Sequence, residues 1–248
     1  MKRALVATSF GTSVPEARGS IGAVEKALRE AAPEYAFVRA FTSPTIRRIL
    51  ARRGEEVPSL TEALERLCQE GAAQVVVQPT HLLYGFEYDR LKAEAEGFSG
   101  RFERVVVGKP LLANHHDILR FAEKLPEAHP QEHGNAIVYM GHGTEHFANA
   151  AYPALQTALR LSGRDDILIG TVEGWPGLED VLRQLKGPCR VELLPLMLVA
   201  GDHARNDMAA GWKGALEKAG HSVQCAFTGL GELAWVQEMY RDRLMEAV

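Results

Sequence analysis

The sequence predicts an α/β protein of two similar lobes, each a parallel four-stranded sheet flanked by helices. Three observations predict it. Short runs rich in Val, Ile and Leu alternate with segments of helical period along the whole chain. The runs are continuously apolar rather than alternating, as expected of strands covered by helices on both faces. The second half also repeats the pattern of the first, which points to an internal duplication.

The elements follow in order. Strands are expected at 4–10, 35–41, 74–83, 104–112, 136–142, 167–173, 190–199 and 222–230. Helices are expected at 15–32, 44–54, 60–70, 88–98, 116–125, 148–162, 178–186, 204–219 and 232–247. Ser59 and Glu62 have the spacing of a capping box that opens the third helix, and Gly71 closes it. The loop SFGTS at 9–13 resembles GHGTE at 141–145, placing Gly11 on Gly143 at an offset of 132. QPTHLLYGFEYDRL at 78–91 resembles LPLMLVAGDHARND at 194–207, with Pro79 on Pro195 and Gly85 on Gly201 at an offset of 116. The 16 residues lost between the two offsets match the extra helix of the first half, between its second and third strands.

Composition narrows the function classes. Lys and Arg number 28 against 32 Asp and Glu, so a net charge of −4 offers no long-range attraction for nucleic acid or an anionic membrane. Cys68, Cys189 and Cys225 are far apart and form no CxxC, which argues against a disulfide framework or a thiolate zinc site. No apolar run reaches transmembrane length, and the N-terminus reads as a first strand rather than a signal. A cytoplasmic protein is expected.

In parallel α/β sheets ligands bind beyond the carboxyl ends of the strands, and the sequence can be questioned there. The fifth strand ends at His142, the sixth at Glu173 and the seventh runs out to His203, so three metal-capable side chains end three successive strands. The repeat sets Glu87 at the position of His203, and Phe10 at that of His142, as an apolar wall. Gly141 and Gly143 allow the backbone to turn sharply around His142. Two His with one or two carboxylates suit a borderline divalent cation such as cobalt, nickel, iron or zinc, and do not choose among them. Arg47, Arg48, Arg52 and Arg53 follow the second strand; a solvated face is the ordinary reading, and a clamp by Arg47 or Arg48 for an acidic substrate is the functional one. Arg205 and Asn206 are alternative donors beside His203. His81, His115, His116 and His146 read as surface or packing residues, and His129, His133 and His221 as loop residues.

Other motifs fail. HGTEH at 142–146 lacks the Glu directly after the first His that a zinc protease needs. A GxGxxA at Gly229, Gly231 and Ala234 follows the last strand and has no acidic ribose partner beyond it. There is no phosphate-binding P-loop and no GxSxG elbow.

SFGTS, FTSPTIRRIL, QPTHLLYGFEYDRL, YMGHGTEH, GTVEGWP and LPLMLVAGDHARNDM, in this order across nearly the whole chain, resemble the anaerobic (class II) sirohydrochlorin cobaltochelatase family. The resemblance implies the class II chelatase fold, two α/β lobes around a cleft. The first lobe would span 1–125 and be joined by the last helix, 232–247; the second would span 126–231 and carry the paired histidines. It implies ATP-independent insertion of cobalt(II) into sirohydrochlorin or precorrin-2 in anaerobic cobalamin synthesis, with no cofactor beyond the substrate ion. His142 and His203 match the family's paired histidines, and Glu87 and Glu173 fall on acidic positions tied to metal handling. Phe10, Leu83 and Tyr84 are then expected against the macrocycle, with Arg47, Arg48 or Arg205 meeting its carboxylates. The partners are the tetrapyrrole and a divalent metal, with neither nucleic acid nor membrane; a homo-oligomer is compatible. The alternatives are a chelatase for iron or nickel and a noncatalytic carrier of metal or tetrapyrrole.

Overall fold

The computed structural model describes residues 2–248, except for the side chains of Asp202 and His203. The chain divides into two compact units, Met1–Ala113 with Gly231–Val248, and Asn114–Leu230.

The first unit contains β1 (Arg3–Ser9), α1 (Arg18–Ala31), β2 (Ala36–Phe41), α2 (Pro44–Arg52), α3 (Leu60–Gln69), β3 (Gln74–Pro79), α4 (Phe86–Glu96) and β4 (Arg104–Val107). Its four strands are parallel in the order β2-β1-β3-β4, with Leu5 beside Phe37 and Val76. Ala4, Val6, Val75 and Val77 pack on Leu60, Leu64 and Leu67 of α3 and Leu91 of α4. Leu5 and Ala7, of opposite strand parity, are also fully buried, which is why the strand reads as a continuous apolar run. Ser59 and Glu62 form the expected capping box, and Gly71 ends α3 with a φ of +71°.

The second unit contains α5 (His115–Lys124), β5 (Asn135–Gly141), α6 (Ala151–Leu161), β6 (Ile167–Thr171), α7 (Leu178–Gln184), β7 (Arg190–Pro195), α8 (Asp202–Asn206), α9 (Lys213–Lys218) and β8 (Ser222–Cys225). Its sheet has the same parallel order, β6-β5-β7-β8. A π-helical segment, Asp207–Trp212, joins α8 to α9. The last helix, α10 (Ala234–Met245), belongs to the first unit and packs on α1.

The repeat reappears in individual hydrogen bonds. Thr80 N donates to Thr8 O at 2.9 Å, and Leu196 N to Met140 O at 2.8 Å. Thr42 N donates to Ser9 O at 2.8 Å, and Val172 N to Gly141 O at 3.1 Å. Phe41 N donates to Pro58 O at 2.9 Å, and Thr171 N to Pro176 O at 2.7 Å. Between Phe41 and Pro58 the first unit inserts α2, which has no counterpart between Thr171 and Pro176.

Two details differ from the sequence reading. The expected boundary at 125/126 follows α5, whereas α5 packs on α6 and groups with the second unit, which begins at Asn114. Asn114 opens α5 through a capping box with Asp117. The strands at 74–83, 104–112, 190–199 and 222–230 stop several residues early: beyond their ends Leu111, Leu112 and Leu196 are buried in loops and Leu230 in a 3-10 turn.

Candidate metal centre

At the carboxyl end of β5 the chain turns through Gly141, His142 and Gly143. Gly143 has a φ of +81°, and a Cβ there would sit 2.5 Å from Gly174 N and 2.9 Å from Thr171 Cβ. A Cβ on Gly141 would run into the ring of Tyr152. Both flanking positions therefore need glycine, one for its backbone conformation as well as its size.

The turn aims His142 into solvent while holding its backbone. His142 O accepts from Glu173 N at 2.8 Å, and Gly143 N approaches Tyr152 Oη at 3.5 Å. Burial pushes the Tyr152 hydroxyl up to about 12, so it stays protonated at neutral pH. His142 Nδ1 lies 2.9 Å from Gly143 O. A carbonyl oxygen only accepts, so Nδ1 is the donor, and in the neutral ring Nε2 is left with the lone pair. Glu173 Oε2 stands 3.8 Å from Nδ1, both side chains being more than half exposed.

The next loop is fastened to this one. Asn149 Oδ1 accepts from Thr144 N at 3.1 Å while its Nδ2 donates to Trp175 O at 2.5 Å. Thr171 N and Oγ1 both donate to Pro176 O, at 2.7 and 2.8 Å. His142 and Glu173 thus project from loops joined by backbone and side-chain hydrogen bonds.

The other expected residues of this unit lie beyond β7. His203 is the second residue of α8, and its side chain lies outside the described residues. Arg205 Nε donates to Ala200 O at 3.0 Å, and its guanidinium stands 5.5 Å from the centre of the Phe227 ring. Among the described side chains, no three metal-capable groups converge.

In the first unit, Phe10 follows β1 and is 50% exposed. Leu83 and Tyr84 are half-buried, and Tyr84 meets Tyr88 edge-on with ring centres 4.7 Å apart. Glu87 lies in the first turn of α4 and pairs with Arg90 Nη1 at 3.0 Å. Arg47 Nη1 is engaged by Glu62 at 2.8 Å, whereas Arg48 is exposed. Arg53 Nη1 donates to Ser13 O at 2.5 Å.

His81 is a packing residue, and His129 and His221 lie in loops as expected, but all three are enclosed. Both ring nitrogens of His81 are shielded from solvent with no hydrogen-bond partner among the described residues, and burial pushes its pKa down to about 4. His129 is buried, with Nε2 2.7 Å from Tyr139 Oη, and burial lowers its pKa. His221 is buried beside Cys189 Sγ at 3.3 Å. The sequence reading also passed over Asn149 and Tyr152, which fasten the His142 loop, and the exposed Phe147 and Trp175. The one signal for these was their nearness in sequence to His142 and Glu173.

Residues 3–248 match a family model described as "Cobalt chelatase (CbiK)". The chain is 35% identical over 260 residues to a "Sirohydrochlorin cobaltochelatase" of Salmonella typhimurium, covering 100% of this chain and 97% of that one. It is 33% identical over 259 residues to "Sirohydrochlorin cobaltochelatase CbiKC" of Nitratidesulfovibrio vulgaris, covering 100% and 91%. Among solved structures, "SirB from Bacillus subtilis with Fe3+" has the same fold, with a TM-score of 0.71 at 15% identity, covering 99% and 95%.

Proposed function

Because this chain belongs to the cobalt chelatase (CbiK) family, we propose that it inserts cobalt(II) into sirohydrochlorin, or precorrin-2, without ATP, in anaerobic cobalamin synthesis. The observation that carries the reading is the state of His142. With Nδ1–H given to Gly143 O, Nε2 offers a lone pair from an exposed loop at the carboxyl edge of the sheet.

Insertion replaces two pyrrole N–H bonds by bonds to the metal and releases two protons. A neutral imidazole suits both tasks this sets, holding the ion briefly and accepting a proton. We assign the metal to His142 and His203, whose set stays open because a closed four-ligand cage would retain its ion. Glu173 on the Nδ1 side offsets the positive charge that the imidazole gains when it takes a metal or proton. Glu87 is the further carboxylate assigned to metal or proton handling. Phe10, Leu83 and Tyr84 are assigned to the ring, and Arg48 and Arg205 to its acidic side chains. Arg47 takes the same role only by leaving Glu62. Among the described residues no helix is long and apolar enough to cross a membrane, which accords with a cytoplasmic enzyme acting on dissolved substrates.

The test is anaerobic turnover of sirohydrochlorin with cobalt(II), followed by absorbance without ATP, for the full chain and for His142→Ala and His203→Ala. Multiple turnovers lost in both variants are expected. Stoichiometric binding with no rate above the spontaneous one would overturn the reading in favour of a carrier.

A further inference from the structure

Two large aromatic side chains on the joined loops that follow His142 and Glu173 stand in solvent. Phe147 is 88% exposed and Trp175 63%, whereas Trp212 is buried and Trp235 half-buried. An exposed ring forgoes the burial that drives folding, so two on adjoining loops call for an occupant.

Their backbones are held firmly. Trp175 O accepts from Asn149 Nδ2 at 2.5 Å, and the carbonyl of the following Pro176 accepts twice from Thr171. Phe147 opens the short 3-10 turn that carries Asn149. The same Asn149 binds Thr144 N, and the same pair of loops carries the His142 O to Glu173 N hydrogen bond at 2.8 Å. Both rings are thus mounted on the frame that presents the His142 imidazole, Trp175 two residues beyond Glu173.

We propose that Trp175 and Phe147 form an aromatic platform that receives a flat face of the tetrapyrrole and positions it for metal entry beside His142. The proposal rests on the chelatase reading and adds two positioning residues that motif resemblance did not single out. The chemistry favours a conjugated macrocycle over a protein partner because the platform is continuous with the metal-binding loops, and a protein seated there would cover His142. A macrocycle stacks its apolar face on the rings and leaves its acidic periphery in water. Stacking holds the ring without taking part in proton transfer, so its loss weakens binding more than it slows turnover.

The test titrates metal-free sirohydrochlorin anaerobically into the full chain, following tryptophan emission, and then measures insertion rates. The wild type should show quenching that is largely lost in Trp175→Phe. Trp175→Ala and Phe147→Ala should each raise KM about tenfold, as expected for one stacked ring, with kcat within about twofold. Trp175→Phe should keep a KM near the wild-type value, because phenylalanine also stacks. Phe147 is exposed enough that its removal leaves the core untouched, which keeps the test valid if Trp175→Ala folds poorly. Wild-type KM in both alanine variants, or a fall in kcat at unchanged KM, would overturn the platform. Quenching by sirohydrochlorin in a wild type that never turns over would instead sink the chelatase reading and leave the platform standing.

Discussion

Replacing Gly143 by Ala separates two demands that the His142 turn makes on its backbone. The first is conformational, since a φ of +81° costs an L-residue about 1–2 kcal/mol. The second is steric: the added Cβ would stand 2.5 Å from Gly174 N, about 1 Å inside ordinary contact, so the two loops must part by about that much. Overpacking of this kind costs a further ~1–3 kcal/mol. Gly54 supplies the control, with a φ of +80° and nothing within 4 Å of its absent Cβ. Gly54→Ala should therefore show the conformational cost alone, a fall in Tm of roughly 2–8 °C, with unchanged turnover. Gly143→Ala should lose more stability and also about 100-fold in kcat, the scale expected when a reacting group moves by about 1 Å. Thermal denaturation and anaerobic insertion kinetics on both variants make the comparison. Equal kcat in the two would refute the argument that the contact between Gly143 and Gly174 positions His142.

Stability should also depend on pH through His81. Its pKa falls from about 6.5 in the unfolded chain to about 4 in the fold because burial disfavours the charged ring. Above pH ~6.5 both states are neutral and nothing is lost; as pH falls from there towards 4 the unfolded chain takes up a proton that the fold refuses. The loss approaches about 3 kcal/mol. Between pH 7 and pH 5, urea unfolding should show the wild type losing about 2 kcal/mol more than His81→Phe, which keeps the loss due to the buried His129; equal losses in both would rule His81 out as the source. A second prediction concerns Glu25, fully enclosed and bonded to Arg39 Nε at 2.6 Å. Glu25→Gln should cost ~2–3 kcal/mol in urea unfolding, because it leaves a guanidinium without its carboxylate; a loss below 0.5 kcal/mol would show the pair to be dispensable.

All eight strands and the pairing of the two halves were legible in the sequence because both are written in hydrophobic pattern. Strand ends were not, and Leu111 and Leu112 show why. Both are buried, yet their N–H groups donate to His81 O and Leu82 O from a loop, so apolarity reported enclosure and not conformation. At the site, the loops of His142 and Glu173 were readable from glycine and strand-end position. The roles of the two nitrogens of His142 were not, since they depend on a carbonyl one residue away whose direction follows from the positive φ of Gly143. Nor could the sequence choose between surface and packing for His81, because a polar residue at a strand end carries no mark of whether its nitrogens will be enclosed.

The two halves hold the same backbone and have put it to different uses, which yields a contrast between equivalent residues. Glu173 N donates to His142 O at 2.8 Å, and in the first unit Ser43 N donates to Phe10 O at 3.3 Å. Phe10 thus stands where His142 does, and Ser43 where Glu173 does. Ser43 is occupied otherwise: its side chain accepts from Ile46 N and caps α2, the helix that the second unit lacks. The insertion of α2 therefore drew the carboxylate position of the first half into helix capping, while the second half kept it free beside an imidazole. Ser43→Ala should cost about 1 kcal/mol of stability and leave cobalt(II) binding untouched. Glu173→Ala removes a side chain 65% exposed, so it should leave Tm unchanged and slow insertion. Unfolding curves and insertion rates on the two variants should show these opposite signatures; a Glu173→Ala protein that is less stable but fully active would reverse the assignment.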